Sequence, residues 1–274
     1  MKLLVVTPTL GDSPWLAETV ASVATRATEA PTITHVLVAP AAKLAELAAR
    51  FPKVVVVAEP TGNQGMYVAI NAGLAAGGDW EAFTYLNDDD VLLPDFTSAA
   101  RTIREAGAGR PLVAYGGVRL IGAQGKRLGA IPISSAPELN RALYAQRLEP
   151  VFQHGTVVTR AVFDAIGGFD ATLRFCGDSE FLARACARGI PFVCATRREV
   201  AAFRLRAGQA TKNRPAMIAE RARVDAKLGL LAPRPAAELR RARWRFRLAN
   251  LAIYAERVAR HGFVTFDELL ERGG

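Results

Sequence analysis

Four short runs rich in β-branched or aromatic residues fall within residues 2–87: KLLVVTP (2–8), THVLVAP (34–40), KVVVVAE (53–59) and AFTYLN (82–87), each bounded by turn residues. Helical spacing fills the gaps, near 14–27, 41–51 and 64–76. Few architectures accept that alternation. Parallel neighbours need a crossover, a helix is the usual one, and a parallel sheet must be covered on both faces. The order β-α-β-α-β-α-β therefore predicts an α/β structure around a parallel sheet. With 274 residues, 50% hydrophobic and 22% charged, the chain can bury a full core.

In open α/β sheets, ligands lie outside the carboxyl ends of the strands. The loop after the first strand, TPTLGDS, lacks G-x-G-x-x-G, which disfavours a nicotinamide or flavin fold, and no G-x-x-x-x-G-K-[ST] occurs either. The fourth strand instead runs into NDDDVLLPD, with Asp88, Asp89 and Asp90 in a row. Three adjacent carboxylates repel one another unless a cation or hydrogen-bond donors compensate. Hard divalent ions take oxygen ligands from one or two carboxylates plus substrate phosphates. In an extended segment Asp88 and Asp90 project to the same side. The competing reading is a solvated acidic turn, with Asp95 after Pro94 capping the next helix, and the triplet alone does not separate the two.

No apolar run reaches the roughly 18 residues of a membrane span, and the start, MKLLVVTPTLGDSP, reads as a first strand, so a cytosolic protein is expected. Cys176, Cys186 and Cys194 have no metal-ligand pairing and read as small core residues. The net charge of +9 is uneven: residues 1–211 carry 21 Lys/Arg against 19 Asp/Glu, residues 212–274 carry 14 against 7.

YLNDDDVLLPD, preceded by EPTGNQGMYVAINAGLAAGGDWEAF and followed by HGTVVTRAVFDAIGGFDATLRFCGDSEFLARACARG, resembles the family 2 glycosyltransferases of the GT-A fold. Four pieces occur in the family's order: VVTPTLGDSPWLAETVASV, G-x-Y-x-A-x-N-x-G, D-x-D, and GGFD followed by GDSEF. The resemblance covers residues 1–211. It implies a Rossmann-like mixed, mostly parallel sheet with helices on both faces. Residues 1–105 would form the nucleotide-sugar half and 106–211 the acceptor half, with 212–274 a basic helical C-terminal extension. The implied activity is inverting transfer of a sugar from a nucleotide-diphosphate donor, a UDP-sugar being expected, to a hydroxyl of a glycan or lipid-linked acceptor, as in polysaccharide biosynthesis. A divalent metal, Mn²⁺ or Mg²⁺, would neutralise the leaving diphosphate.

Carried over residue by residue, Asp90 becomes the direct metal ligand, Asp88 a contact to metal shell or ribose, and Asp89 a support for the turn. Asp178 in CGDSEF becomes the general base, with Glu180 a supporting carboxylate. Thr7, Pro8, Thr9, Glu59, Asn63, Gly65 and Asn71 join Asp88 and Asp89 around the donor, and Gln153, His154, Gly177 and Glu180 border the acceptor. The sequence departs from the family pattern at Val68, where many relatives have an aspartate, and at Ala39–Pro40, where the second strand usually ends in an acid. Where a histidine often serves, AAFRLRAGQAT offers Arg204 and Arg206, whose planar forks suit phosphate, together with Gln209 and Thr211. Read locally, Asp178 is also a helix cap, residues 64–73 are a packed helix and His154 is a structural histidine.

The tail, PRPAAELRRARWRFRLANLAIYAERVAR, places Trp244, Leu248, Leu251, Ala255 and Val258 on one helical face, among arginines 240, 241, 243, 245 and 247. Such a helix can dock on the core, pair two subunits as a homodimer, or rest peripherally on an anionic membrane at the inner face of the cell; docking on the core is the expectation. Nucleic-acid binding is not expected, since no fold of that class is recognisable. Two other functions fit less well: a nucleotidylyltransferase, which would want a glycine-rich first loop, and a non-catalytic sugar-nucleotide-binding scaffold, suggested by the missing acid and Val68.

Overall fold

The four runs form strands β1 (Leu3–Pro8), β2 (Ile33–Ala39), β3 (Val55–Ala58) and β4 (Ala82–Tyr85) in a computed structural model that describes residues 1–27, 32–62, 65–206, 209, 213–229, 234–265 and 268. Between them lie α1 (Leu16–Ala27), α2 (Leu44–Arg50) and α3 (Met66–Ala76). These four strands are mutually parallel in the order β3-β2-β1-β4. Strand β1 alternates between two cores: Leu4 and Val6 join Val36, Val38 and α3, while Leu3 and Val5 join Ala82 and the far face. Both faces being covered explains why the run is continuously apolar.

The chain continues through β5 (Val91–Leu92), α4 (Phe96–Ala106), β6 (Val113–Ile121), β7 (Arg127–Ile131), α5 (Asn140–Tyr144), β8 (Thr156–Thr159), α6 (Arg160–Ile166), α7 (Gly177–Ala187) and β9 (Phe192–Arg204). The sheet extends as β4-β8-β6-β9-β5, with β7 on β6. Strand β8 is antiparallel to both neighbours, whereas β6 and β9 run parallel through an irregular register. The mixed, largely parallel α/β sheet expected from the sequence is thus present. The two-residue β5 pairs with β9 at Val91–Ala202 and Leu92–Ala201. The carboxylate turn is therefore pinned at one end by the parallel sheet and at the other by β9.

Between the sheet and α6–α7 lies an aromatic cluster, in which Phe83 packs edge-to-face on Trp80, Phe163, Phe169 and Phe181, and Phe169 stacks on Phe181 at 4.5 Å. Cys176 and Cys186 are buried here and Cys194 packs at the margin, all as free thiols.

Three helices follow: α8 (Arg214–Leu228), α9 (Ala236–Ala249) and α10 (Leu251–His261). Val224 of α8 enters the main core, and Glu220 accepts the N–H groups of Arg174, Phe175 and Cys176 at 2.7–2.8 Å. Helix α9 docks through Leu239, Ala242 and Phe246 against Ala136, Leu139, Ala142 and Leu143. Docking was expected, but not this face of the helix: Trp244, Leu248 and Leu251 point to solvent. Nor is the tail one helix. It breaks at Asn250, which is fully buried and bonds both backbone groups of Ile133 and the carbonyl of Phe246. Among the described residues no helix is long and apolar enough to cross a membrane.

Candidate active site

The turn between β4 and β5 holds the three aspartates differently. Asp90, the expected metal ligand, has no exposed surface. Its Oδ1 accepts the N–H of Arg204 at 2.8 Å and its Oδ2 accepts Asn87 Nδ2 at 3.0 Å. His154 Nε2 also lies 3.0 Å from that Oδ2, an ion-pair distance without the alignment of a hydrogen bond. With both oxygens engaged and no route to solvent, Asp90 fits an internal anchor and not a direct ligand. Asp88 is only half-buried. Its Oδ2 accepts the Thr9 hydroxyl at 2.6 Å and its backbone carbonyl accepts Ser13. Asp89 pairs through Oδ2 with Arg206. Among the described residues no group donates to the other oxygen of Asp88 or of Asp89. Burial pushes both carboxyls up, Asp89 to about 6; the negative charge of Asp90 adds to this, and Thr9 at Asp88 and Arg206 at Asp89 counter it.

Arg204 was expected to reach phosphate, and the structure corrects this. Its side chain is 1% exposed, and its guanidinium donates to the carbonyls of Asp89, Gly122 and Ala123 and to Glu18. Those bonds tie β9, the β6–β7 turn and α1 behind the carboxylates, leaving the fork no room for an anion. Trp15 roofs the assembly, with its indole N–H on the Ala123 carbonyl and both Arg204 and Arg206 near its ring. Arg206 is the more accessible arginine. Gln209 binds back to the Arg204 carbonyl, and Thr211 and Asn63 lie outside the described residues.

Asp178 stands in the first turn of α7 and is half-buried. Its Oδ1 accepts the Tyr67 hydroxyl at 3.2 Å and the N–H of Ser179 at 2.8 Å, while Oδ2 receives no bond from the described residues. It faces a narrow crevice shared with Tyr85, Gln153 and Phe169. Gln153 lines that crevice beside Asp178, and the next residue, His154, lies 3.0 Å from Asp90, so one short turn links the two acidic segments. Burial opposes protonation of His154, yet Asp90, Asp178 and Asp89 together raise its pKa above the ordinary value.

Several expected contacts turn out to be scaffolding. Asn71 donates to the Phe169 carbonyl at 2.8 Å and accepts the Phe169 N–H at 3.0 Å, so its amide clasps the GGFD loop and faces no donor. A Cβ on Gly168 would come within 2.7 Å of that amide oxygen. Glu180, expected beside the acceptor, is fully buried and bonds Arg184 and Lys227. Gly177 serves packing: a Cβ there would lie 2.6 Å from the Tyr67 ring. Gln153 and His154 form a buried turn, with Gln153 donating to the Tyr85 carbonyl and lining the crevice at Asp178, and His154 packed against Phe203. The Thr7 hydroxyl is likewise buried, 3.0 Å from His35 Nε2. Pro8 and Thr9 do end β1 at the turn, and Glu59 accepts the Gly65 N–H at 2.9 Å at the head of α3.

Tyr67, Asn87, Ser13, Trp15 and Glu18 were not anticipated as site residues. Each lies in a stretch that carries the resemblance: Ser13, Trp15 and Glu18 in VVTPTLGDSPWLAETVASV, Tyr67 in G-x-Y-x-A-x-N-x-G and Asn87 in YLNDDDVLLPD.

No protein-family model and no curated protein matches the chain. Solved structures do share its fold. Residues 1–349 of S. aureus TarS superpose with a TM-score of 0.58 at 17% identity, covering 98% of this chain and 77% of that one. The same fragment in complex with UDP-GlcNAc gives 0.58 at 16% identity, with the same coverage. The mannosyltransferase PcManGT from Pyrobaculum calidifontis, in complex with GDP-Man and Mn²⁺, gives 0.56 at 16%, covering 99% of this chain and 79% of that one. Against the longer TarS structure this chain spans 45% of the length.

Proposed function

We propose that this chain is an inverting glycosyltransferase of the family 2 type, moving a sugar from a nucleotide-diphosphate donor, a UDP-sugar in the first instance, to a hydroxyl of a glycan or lipid-linked acceptor. The observation that carries the reading is the closeness of two acidic segments: Asp178, half-buried, with one oxygen clamped and the other without a donor among the described residues, shares a crevice with Gln153, whose neighbour His154 lies 3.0 Å from Asp90 of the aspartate turn. Solved structures of the same fold hold UDP-GlcNAc and GDP-Man.

Transfer with inversion needs a base on one face of the sugar and charge stabilisation on the other. Tyr67 and Ser179 hold Asp178 Oδ1, which aims Oδ2 toward an incoming hydroxyl whose proton it takes as the glycosidic bond forms. Tyr85 and Phe169, both buried, border the crevice beside Asp178.

The described residues contain no cluster of three or more His, Cys, Asp or Glu fit to enclose a cation. Asp88 and Asp89 nonetheless fit one: each keeps an oxygen without a donor among the described residues, and burial first, then the charge of Asp90, raises both carboxyls. These two would hold a divalent ion shared with the donor's phosphates, the arrangement Mg²⁺ and Mn²⁺ favour. When bound, the ion supplies Lewis-acid stabilisation of the leaving diphosphate. Arg206, at the rim and paired with Asp89, orients that carboxylate.

Thermal-shift screening with UDP, GDP, dTDP and CDP, with and without Mn²⁺, identifies the donor class, because a ligand that binds only the folded state raises the melting temperature. Single-turnover transfer from that donor then tests the base. Asp178→Asn is expected to lower the rate by about 10²–10⁴ while donor affinity holds. Undiminished transfer in Asp178→Asn would sink the mechanism.

A further inference from the structure

We propose that the outward face of α9 seats this protein on an anionic lipid surface. Helix α9 has two apolar faces. The one formed by Leu239, Ala242 and Phe246 is used up in docking. On the opposite face, about half a turn away at roughly 100° per residue, Trp244 is 61% exposed and Leu248, four residues on, is 58% exposed. Leu251, at the start of α10, is 57% exposed. Among the described residues these large apolar side chains stay mostly in water, Leu248 also bordering the cavity between α9 and the segment it docks on.

The arginines around them divide in a telling way. Those toward the body have partners: Arg243 bonds Gln146, Arg245 pairs with Glu138 and Arg234 with Glu238. Arg240, Arg241 and Arg247, spaced four and three residues before Trp244 and three after it, are exposed and have no acidic partner among the described residues. The surface is therefore a tryptophan and two leucines ringed by uncompensated positive charge. A tryptophan is at home at the headgroup level, and arginines extend their charged ends to phosphates while their stems stay apolar. A helix of this kind lies in the interface plane, held by apolar burial together with attraction to anionic lipid. A second copy of the chain is a poorer occupant. A twofold contact sets a patch against itself and would crowd two sets of the same arginines into one desolvated ring. Lipid phosphates supply the missing countercharge.

The inference does not rest on the transferase reading, because the patch is built without any residue of the candidate site. Its test is co-sedimentation of the full chain with vesicles of phosphatidylcholine alone and of phosphatidylcholine mixed with phosphatidylglycerol. Binding should require phosphatidylglycerol, weaken with added salt, and fall about 100-fold in the combined variant Arg240→Gln, Arg241→Gln, Arg247→Gln. Trp244→Ala with Leu248→Ala should also release the protein. All five positions are exposed, so unchanged melting curves are expected and exclude unfolding as the cause. Equal binding to both vesicle types, no binding to either, or retention of binding in the arginine variant overturns the proposal. So does a solution dimer that Trp244→Ala converts to monomer.

Discussion

Replacing Asp90 with alanine separates an anchor from a ligand. In the parent protein the Asp90 carboxylate has no exposed surface and meets the Arg204 N–H, the Asn87 amide and His154. Alanine leaves those donors buried without an acceptor. An unsatisfied buried donor costs about 1–3 kcal/mol, and breaking one side of a buried charged pair costs about 3–5 kcal/mol. The terms overlap, because Arg204 and Asn87 can shift toward the vacated space, so a total of about 3–5 kcal/mol is expected, a large share of the roughly 5–15 kcal/mol that holds a domain folded. Asp88→Ala is the comparison. It loses one bond, from Thr9, and relieves a carboxylate already disfavoured by burial, so its cost should be about 1 kcal/mol or less. Urea unfolding at constant m reads both numbers. Calorimetric titration of UDP in Mn²⁺, at a urea-free temperature where each variant is folded, reads the other half. Asp88→Ala should lose the metal-dependent part of the affinity and Asp90→Ala should keep most of it. An Asp90→Ala protein within about 1 kcal/mol of the parent that no longer binds nucleotide in metal would refute the reasoning and restore Asp90 as the ligand.

Tyr67→Phe removes only the hydroxyl that holds Asp178 Oδ1. Transfer should slow about 3- to 10-fold, the worth of one hydrogen bond, at unchanged donor affinity and nearly unchanged melting temperature; an unaltered rate would show that the Ser179 N–H suffices. His35 provides a pH test: burial lowers its pKa from 6.5 to about 4, so the folded state binds fewer protons than the unfolded state between those values. Its contribution is complete above about pH 6.5 and is lost as the pH falls toward 4, about 3 kcal/mol in all. His35→Gln should flatten the stability–pH curve by that amount in denaturant titrations from pH 7 to 4, and an equally steep curve in the variant would place the dependence elsewhere.

The parallel half of the sheet was legible because its signal is local. Four apolar runs with helical spacing between them have one economical arrangement, and β1 to β4 adopt it within one or two residues. The two-residue β5 and the order of β6, β8 and β9 were not legible. A strand as short as Val91–Leu92 has no periodicity of its own and exists because β9 passes beside it. The site residues divide similarly. Asp178 and the triplet stand out as acids at element ends, whereas Asn71, Glu180 and Arg204 have side chains equally suited to ligand or backbone. Their partners, Phe169, Arg184 with Lys227, and Glu18 with three turn carbonyls, are fixed only by tertiary packing.

The choice among the three aspartates shows where a local rule fails. Alternation of side chains in an extended segment puts Asp88 and Asp90 on one face and Asp89 on the other. The segment is not extended: the Asp90 N–H reaches back to the Asn87 carbonyl at 3.2 Å, closing a turn. Once the chain turns, facing is set by what grips its far end. That grip comes from β9, whose Arg204 N–H takes Asp90 Oδ1 and whose guanidinium takes the Asp89 carbonyl. The same contacts that bury Asp90 leave Asp88 half-buried, while Asp89, 3% exposed, is reached only through its partner Arg206 at the rim. A stretch of sequence more than a hundred residues downstream thus decides which carboxylates can meet a ligand. The fully buried arginine read as a phosphate contact is the residue that makes the decision.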